Sequence, residues 1–183
     1  MKTRILSLGF ILTLLASEAT AQCNVHKKTD DFTNEKALWT DRVKIASGGT
    51  AKAFKGKKDF DPTYRISFSI LFKQGKLLIA ISEDTDFGSC TPESVAFKLA
   101  NGTVIQKSNR IELQAVKSSL GEEHNVLFEI TKDELRQFST SVISKVRIME
   151  RMCSEHPTVE EEIAAKQAQT IQRDAACMLT EIR

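Results

Sequence analysis

The sequence has little of what catalytic and cofactor sites are built from. Its three histidines, His26, His124 and His156, are far apart, and no H-E-x-x-H face is present to carry zinc. There is no G-x-S-x-G nucleophile elbow, no glycine loop that would cradle phosphate and no dinucleotide-binding fingerprint. The four cysteines never fall as C-x-x-C, which excludes the common zinc patterns. One tryptophan and one tyrosine are too few to line an extensive sugar-stacking cleft. No catalytic residue and no cofactor is therefore expected.

An excess of charge of one sign is also missing. Residues 1–21 contain Lys2, Arg4 and Glu18, and setting them aside leaves 24 basic and 23 acidic residues out of 26 and 24. That balance gives nucleic acid no electrostatic footprint to bind. One stretch is locally basic: "KAFKGKKDF", with Lys52, Lys55, Lys57 and Lys58 around Phe54 and Phe60. It has the charge to touch an anionic glycan or lipid head group, but a solvated loop between strands accounts for it as well. After residue 21 no window reaches the roughly 18 apolar residues of a spanning helix, so no transmembrane segment is expected.

What is present begins with a leader. Lys2 and Arg4 precede the apolar run "ILSLGFILTLLA", and "ATA" at Ala19–Ala21 is a small-x-small cleavage site. This pattern is a secretory signal peptide. Gln22 is not the small residue that precedes a lipid-bearing cysteine, which argues against a lipid anchor at Cys23. The remaining chain, residues 22–183, is expected to be secreted or periplasmic. Its 162 residues suit one domain.

Residues 22–36 are polar and aperiodic and are read as an N-terminal arm. Residues 37–183 are read as a single β-rich domain. "LWTDRVKIA" has strand formers, with Trp39 assigned to the core. In "YRISFSILF", Tyr64, Ile66, Phe68, Ile70 and Phe72 alternate with polar residues, the period of a strand wet on one face. "KQGK" then turns the chain into "LLIAIS". "SVAFKLA" and "TVIQK" flank Asn101-Gly102, a type I′ hairpin signal. With Thr103 the same residues make a glycosylation sequon, which the turn explains without assuming a host. Strands follow near "RIELQAV", "NVLFEI" and "SVISKVRIM". Thr131 and Glu134 form a capping box that opens a short helix near 131–138. The fold class is mainly β, an antiparallel sandwich or partly open barrel, with that short helix and one long C-terminal α-helix.

The long helix is placed at 158–182. Thr158 and Glu161 make a second capping box, and Ala164, Ala168, Ile171, Ala175, Met178 and Ile182 recur on one face. This alanine-rich seam packs on its own domain or faces a partner helix. An unbroken helix from 158 would put Cys177 about 28 Å from its start. Cys153 lies five residues before that start and reaches at most about 18 Å, too far for a bridge. With four cysteines in an exported chain two disulfides are expected. Excluding Cys153–Cys177 leaves Cys90–Cys153 with Cys23–Cys177 as the preferred pairing, ahead of Cys90–Cys177 with Cys23–Cys153.

Two acidic features complete the inventory. In "EDTDFGSC", Asp84, Asp86 and Gly88 give D-x-D-x-G, and Asp84 and Asp86 are weak calcium candidates. Glycine is fifth and Val95 twelfth, unlike an EF-hand loop, and a tight turn closed by Cys90 fits the residues better. Glu83, Asp84, Asp86, Glu112, Glu122, Glu123 and Glu129 offer paired carboxylates of the kind a glycosidase sets across a cleft. The function these signals favour is an exported, disulfide-stapled binding module. Its partner would be an envelope protein, a glycan or another copy of the chain. A small hydrolase with paired carboxylates, and an inhibitor or chaperone-like protein using the C-terminal helix, are the alternatives.

Overall fold

The computed structural model of the protein describes residues 23–31, 33–48, 64–85, 91–112, 116–117, 122–151 and 158–182. The segment read as a leader, the basic run at 52–60, Asp86, Cys90 and Cys153 lie outside them. Among the described residues there are twelve strands and two helices, in chain order as follows. The first strands are β1 (Val25–Thr29), β2 (Lys36–Thr40), β3 (Val43–Gly48), β4 (Tyr64–Lys73), β5 (Lys76–Thr85) and β6 (Thr91–Leu99). Then come β7 (Val104–Lys107), β8 (Arg110–Glu112), β9 (Val116–Lys117) and β10 (Glu122–Glu129). The chain ends through α1 (Lys132–Thr140), β11 (Ile143–Arg151), β12 (Thr158–Glu162) and α2 (Ala165–Glu181).

The strands form two antiparallel sheets. The first runs β1-β2-β4-β5-β10-β8, with β3 continuing beside β4 and β9 beside β10. The second runs β12-β11-β6-β7. The fold is mainly β and is not a closed barrel. The period of two in β4 is realised: Ile66, Phe68 and Ile70 are buried while Arg65 is exposed. Phe68 from the first sheet, Phe97 from the second and Phe138 from α1 meet edge to face, with ring centroids 5.4–6.2 Å apart. Each such pair adds about 0.5–1.5 kcal/mol beyond its buried area, so this cluster ties both sheets and the short helix together.

The turns differ in detail from expectation. The type I′ geometry sits at Gln74-Gly75, where φ is 53° and 72°. In the Asn101-Gly102 hairpin only Gly102 takes positive φ, 89°, and its N–H bonds Leu99 O at 3.0 Å. Leu99 N also donates to Thr103 O at 2.8 Å. That is a three-residue loop ending in a left-handed glycine, a common hairpin solution. The capping box is present as expected: Glu134 N donates to Thr131 Oγ1 at 3.1 Å, and Thr131 N donates to Glu134 Oε2 at 2.7 Å.

Three expectations are corrected. Residues 25–29 of the supposed arm are β1, paired to β2 along its whole length. Trp39 is not in the core; Leu38 points inward at 1% exposure and Trp39 outward at 37%. Thr158–Glu162 is the edge strand β12, and the helix starts at Ala165 without a side-chain cap. Tertiary pairing overrides the second capping-box signal here. Val159 is buried opposite Ile148, while Glu160 receives Lys145 at 3.0 Å and Arg147 at 2.7 Å.

The predicted Cys23–Cys177 disulfide is present, with Cα atoms 5.7 Å apart. It fastens β1 to α2, beside a Lys27–Glu181 ion pair at 2.6 Å. The helix seam is spent inside the protein. Ala168, Ile171, Ala175 and Met178 are buried in the main core and Ile182 packs against it, while Ala164 is the exposed N-cap. A partner helix therefore cannot use that face without displacing the core.

Candidate functional site

In a sheet, residues directly opposite each other share a face. The register therefore sorts the polar residues of the first sheet into inner and outer sets. Ile66, Glu83 and His124 are successive partners across β4, β5 and β10, on the core side. Arg65, Asp84 and Glu123 are the corresponding outer row. Glu83 and Asp84, adjacent in sequence, therefore lie on opposite faces, and β5 runs through them as far as Thr85. Among the described residues no group of three His, Cys, Asp or Glu side chains is arranged to hold a metal ion. Asp84 is buried on the outer face, and its calcium companion Asp86 lies outside the described residues. Glu129 is exposed beside Lys76 at 3.6 Å.

The outer face carries a more organised row. His26 on β1 lies opposite Trp39 on β2. Their rings stack with centroids 5.6 Å apart and planes 24° from parallel. His26 Nε2 is 2.7 Å from Asp41 Oδ1, which holds the imidazole in place. The next residue, Arg42, sits in the break between β2 and β3. Its guanidinium crosses β4 and β5 to reach β10, donating to Glu123 Oε1 at 2.6 Å and to Asn125 Oδ1 at 3.4 Å. Asn125 Nδ2 donates to the same Glu123 oxygen at 2.9 Å, and Ser82 Oγ donates to Asn125 Oδ1 at 2.5 Å.

This reach requires small residues underneath, and the sequence supplies them. Ser67 and Ser69 on β4 pair with Ser82 and Ala80 on β5. The result is an interlocked Arg–Glu–Asn–Ser network on the outer face, with Ser69 and Ser82 buried, while Trp39 stands apart from it, opposite Leu71 on β4. Three inter-strand steps separate β2 from β10, about 14 Å. The Arg42–Glu123 pair is partly solvated, so it contributes under about 1 kcal/mol to folding; its main effect is to orient the two side chains. On the same face, Leu78, Ala80 and Leu127 form a second apolar cluster with Leu71 packed against it.

Two further acids have displaced titrations. Asp174 on α2 is 2% exposed, and neither carboxylate oxygen has a hydrogen bond. Arg173 Nε stands 3.7 Å away. Burial raises its pKa above the usual carboxylate value, Arg173 opposes the rise and Asp41 adds to it. At the N-terminus of α1, burial works against ionisation of Glu134. The Thr131 N–H and Lys107 Nζ, at 2.9 Å, outweigh that and lower its pKa.

Sequence reasoning placed Glu123 among candidate carboxylates but missed His26, Trp39, Arg42 and Asn125 as neighbours. The alternation of Leu38, Trp39, Thr40 and Asp41 carried the signal that Trp39 and Asp41 share a face. The partnership with β1 and β10 did not show locally. Comparison with protein-family models, with curated proteins and with solved structures finds no match.

Proposed function

We propose that the protein is an exported binding module whose ligand docks on the outer face of the first sheet. The observation that carries this is Trp39, left 37% exposed although it is the single tryptophan of the chain, and braced by His26 and Asp41. Exposed, pre-oriented aromatic and arginine side chains are the residue types that dominate binding energy, and ordering them in advance lowers the entropy lost on binding. The Cys23–Cys177 bridge fits an oxidising compartment, and no helix among the described residues is long and apolar enough to cross a membrane. Both are compatible with a secreted or periplasmic location.

A second disulfide, Cys90–Cys153, belongs to the same proposal. Cys177 is already bridged to Cys23, which leaves those two as the remaining intramolecular pair. The β6–β11 ladder supports it, since its last pair is Thr91 with Arg151, one residue from Cys90 and two from Cys153. Mass mapping of unreduced peptides tests the pairing; a free thiol at either position refutes it. The binding face is tested by capture from envelope extract on immobilised wild-type protein and on the Trp39→Ala/Arg42→Ala variant. Equal capture by both would remove the face from consideration.

A further inference from the structure

We propose that the corner where β1, the β2–β3 turn and α2 meet is a pH-operated latch on the N-terminal strand, closed when Asp174 is protonated and opened when it ionises. Asp174 lies one helical turn before Cys177, on the same face of α2. Cys177 is bridged to Cys23, two residues before Val25, and Val25 pairs with Thr40, the neighbour of Asp41. Asp174 is buried at this corner, 2% exposed, with neither carboxylate oxygen in a hydrogen bond. Among the described residues two charged groups act on it: Arg173, with Nε 3.7 Å away, and Asp41, of like charge. Of the cations on elements packed against α2, Lys27 and Lys36 act on Glu181, and Lys132 meets the Ile182 carbonyl. Lys145 and Arg147 hold Glu160.

Ionised Asp174 is a buried carboxylate without a hydrogen-bond donor, beside a second negative group. A charge in that position gains by meeting water, and the opening that relieves it is local. β1 is the edge strand of the first sheet, so the corner admits water without parting the core. Asp41 also holds His26 Nε2 at 2.7 Å, and the His26 ring lies on Trp39 with centroids 5.6 Å apart. Repulsion between Asp174 and Asp41 therefore moves the turn and His26 together, and takes the brace from Trp39. A protonated His26 holds Asp41 more strongly than a neutral one, so both groups close the latch as pH falls. The Cys23–Cys177 bridge keeps the strand tethered, which makes the opening reversible. The opening itself needs no ligand; its effect on one rests on the outer face being the binding face.

The test is a pH series from about 4 to 8 on the oxidised chain without ligand. It is read by acrylamide quenching of Trp39, the single tryptophan, and by amide exchange corrected for its intrinsic pH dependence. Above the ordinary 3.8 of Asp174 the open corner releases a proton, so opening gains up to about tenfold per pH unit until the buried carboxyl ionises as well. Protection at Val25–Thr29 is expected to fall along that slope and quenching to rise with it, while β5 stays protected. Asp174→Asn should abolish the step and remain at the acidic level. Asp41→Asn should move the step to lower pH, because the like charge is gone. Absence of a step in wild type, or a step unchanged in Asp174→Asn, overturns the latch. A step that does not move in Asp41→Asn overturns it too, even where Asp174→Asn fails to fold. Capture by the Trp39→Ala/Arg42→Ala variant is a separate reading: equal capture removes the binding face and leaves the latch standing.

Discussion

Removing the Cys23–Cys177 bridge should produce the largest stability change available from two conservative substitutions. The two cysteines are 154 residues apart in sequence. Closing a loop of that length removes about 17 cal/mol/K from the unfolded chain, or about 5 kcal/mol at 25 °C. A typical domain has only about 5–15 kcal/mol in total. The chain-entropy figure is an upper value, because β1 is an edge strand whose other ties include its ladder with β2, the Lys27–Glu181 ion pair and the contacts of His26 with Trp39 and Asp41. In the Cys23→Ala/Cys177→Ala variant, β1 can fray before the core opens. The expected loss is therefore about 3–5 kcal/mol, read as a fall in the urea midpoint at pH 7. The assay compares oxidised wild type with the double variant, so any Cys90–Cys153 bridge is common to both. Hydrogen exchange should also rise at Val25–Thr29 before it rises in β4 or β5. A loss below about 1 kcal/mol, with unchanged exchange in β1, would refute the idea that β1 is held in the cooperative unit by this bond.

Asp174 and Glu134 should respond to pH with opposite sign. The folded-state pKa of Asp174 lies above its ordinary 3.8, so stability is lost as pH rises from there through the raised pKa. At pH 7 the buried charge costs about 1–3 kcal/mol. Asp174→Asn should then be more stable than wild type at pH 7 and equal to it near pH 3; a variant less stable at pH 7 would mean that Arg173 more than offsets burial. The folded-state pKa of Glu134 lies below its ordinary 4.5, so its contribution is full above that value and disappears as pH falls through the lowered pKa. Glu134→Gln should cost about 1 kcal/mol at neutral pH, and urea melts in acid should show the gap close. Gln74 holds positive φ without being glycine; Gln74→Asn should add about 0.5 kcal/mol and raise Tm by about 1–2 °C, and a fall in Tm would show that the turn is not strained. Leu38→Ala should cost about 2–5 kcal/mol, whereas Trp39→Ala should cost under about 1 kcal/mol, since the two neighbours face opposite sides of one strand.

Much of the framework was legible because it is written in short-range patterns. Alternation of Ile66, Phe68 and Ile70 with polar neighbours dictates a strand buried on one side, whatever packs against it. The Thr131–Glu134 capping box closes within four residues, so nothing distant decides it. The seam of α2 was visible as a helical face, and its burial against the sheets explains why alanine recurs there. The Cys23–Cys177 pairing was also reached from sequence, through a helix that proved shorter than expected. Thr158–Glu162 carries a helix-start pattern as good as that at Thr131. It became a strand because β11 offers a ladder, with Lys145 and Arg147 to receive Glu160.

Sequence by itself determined the class of the fold, the first helix and the lean charge balance, and it left Cys23–Cys177 as part of the preferred of two cysteine pairings. Tertiary structure alone decided which way Trp39 points and what surrounds it. Local alternation separates two faces of a strand but does not say which is inner, because that depends on the register with strands far away in the chain. Arg42 and Asn125 are 83 residues apart, and no periodicity connects them. They meet because β4 and β5 place four small side chains between them, a fact of cross-strand pairing that the linear chain does not display.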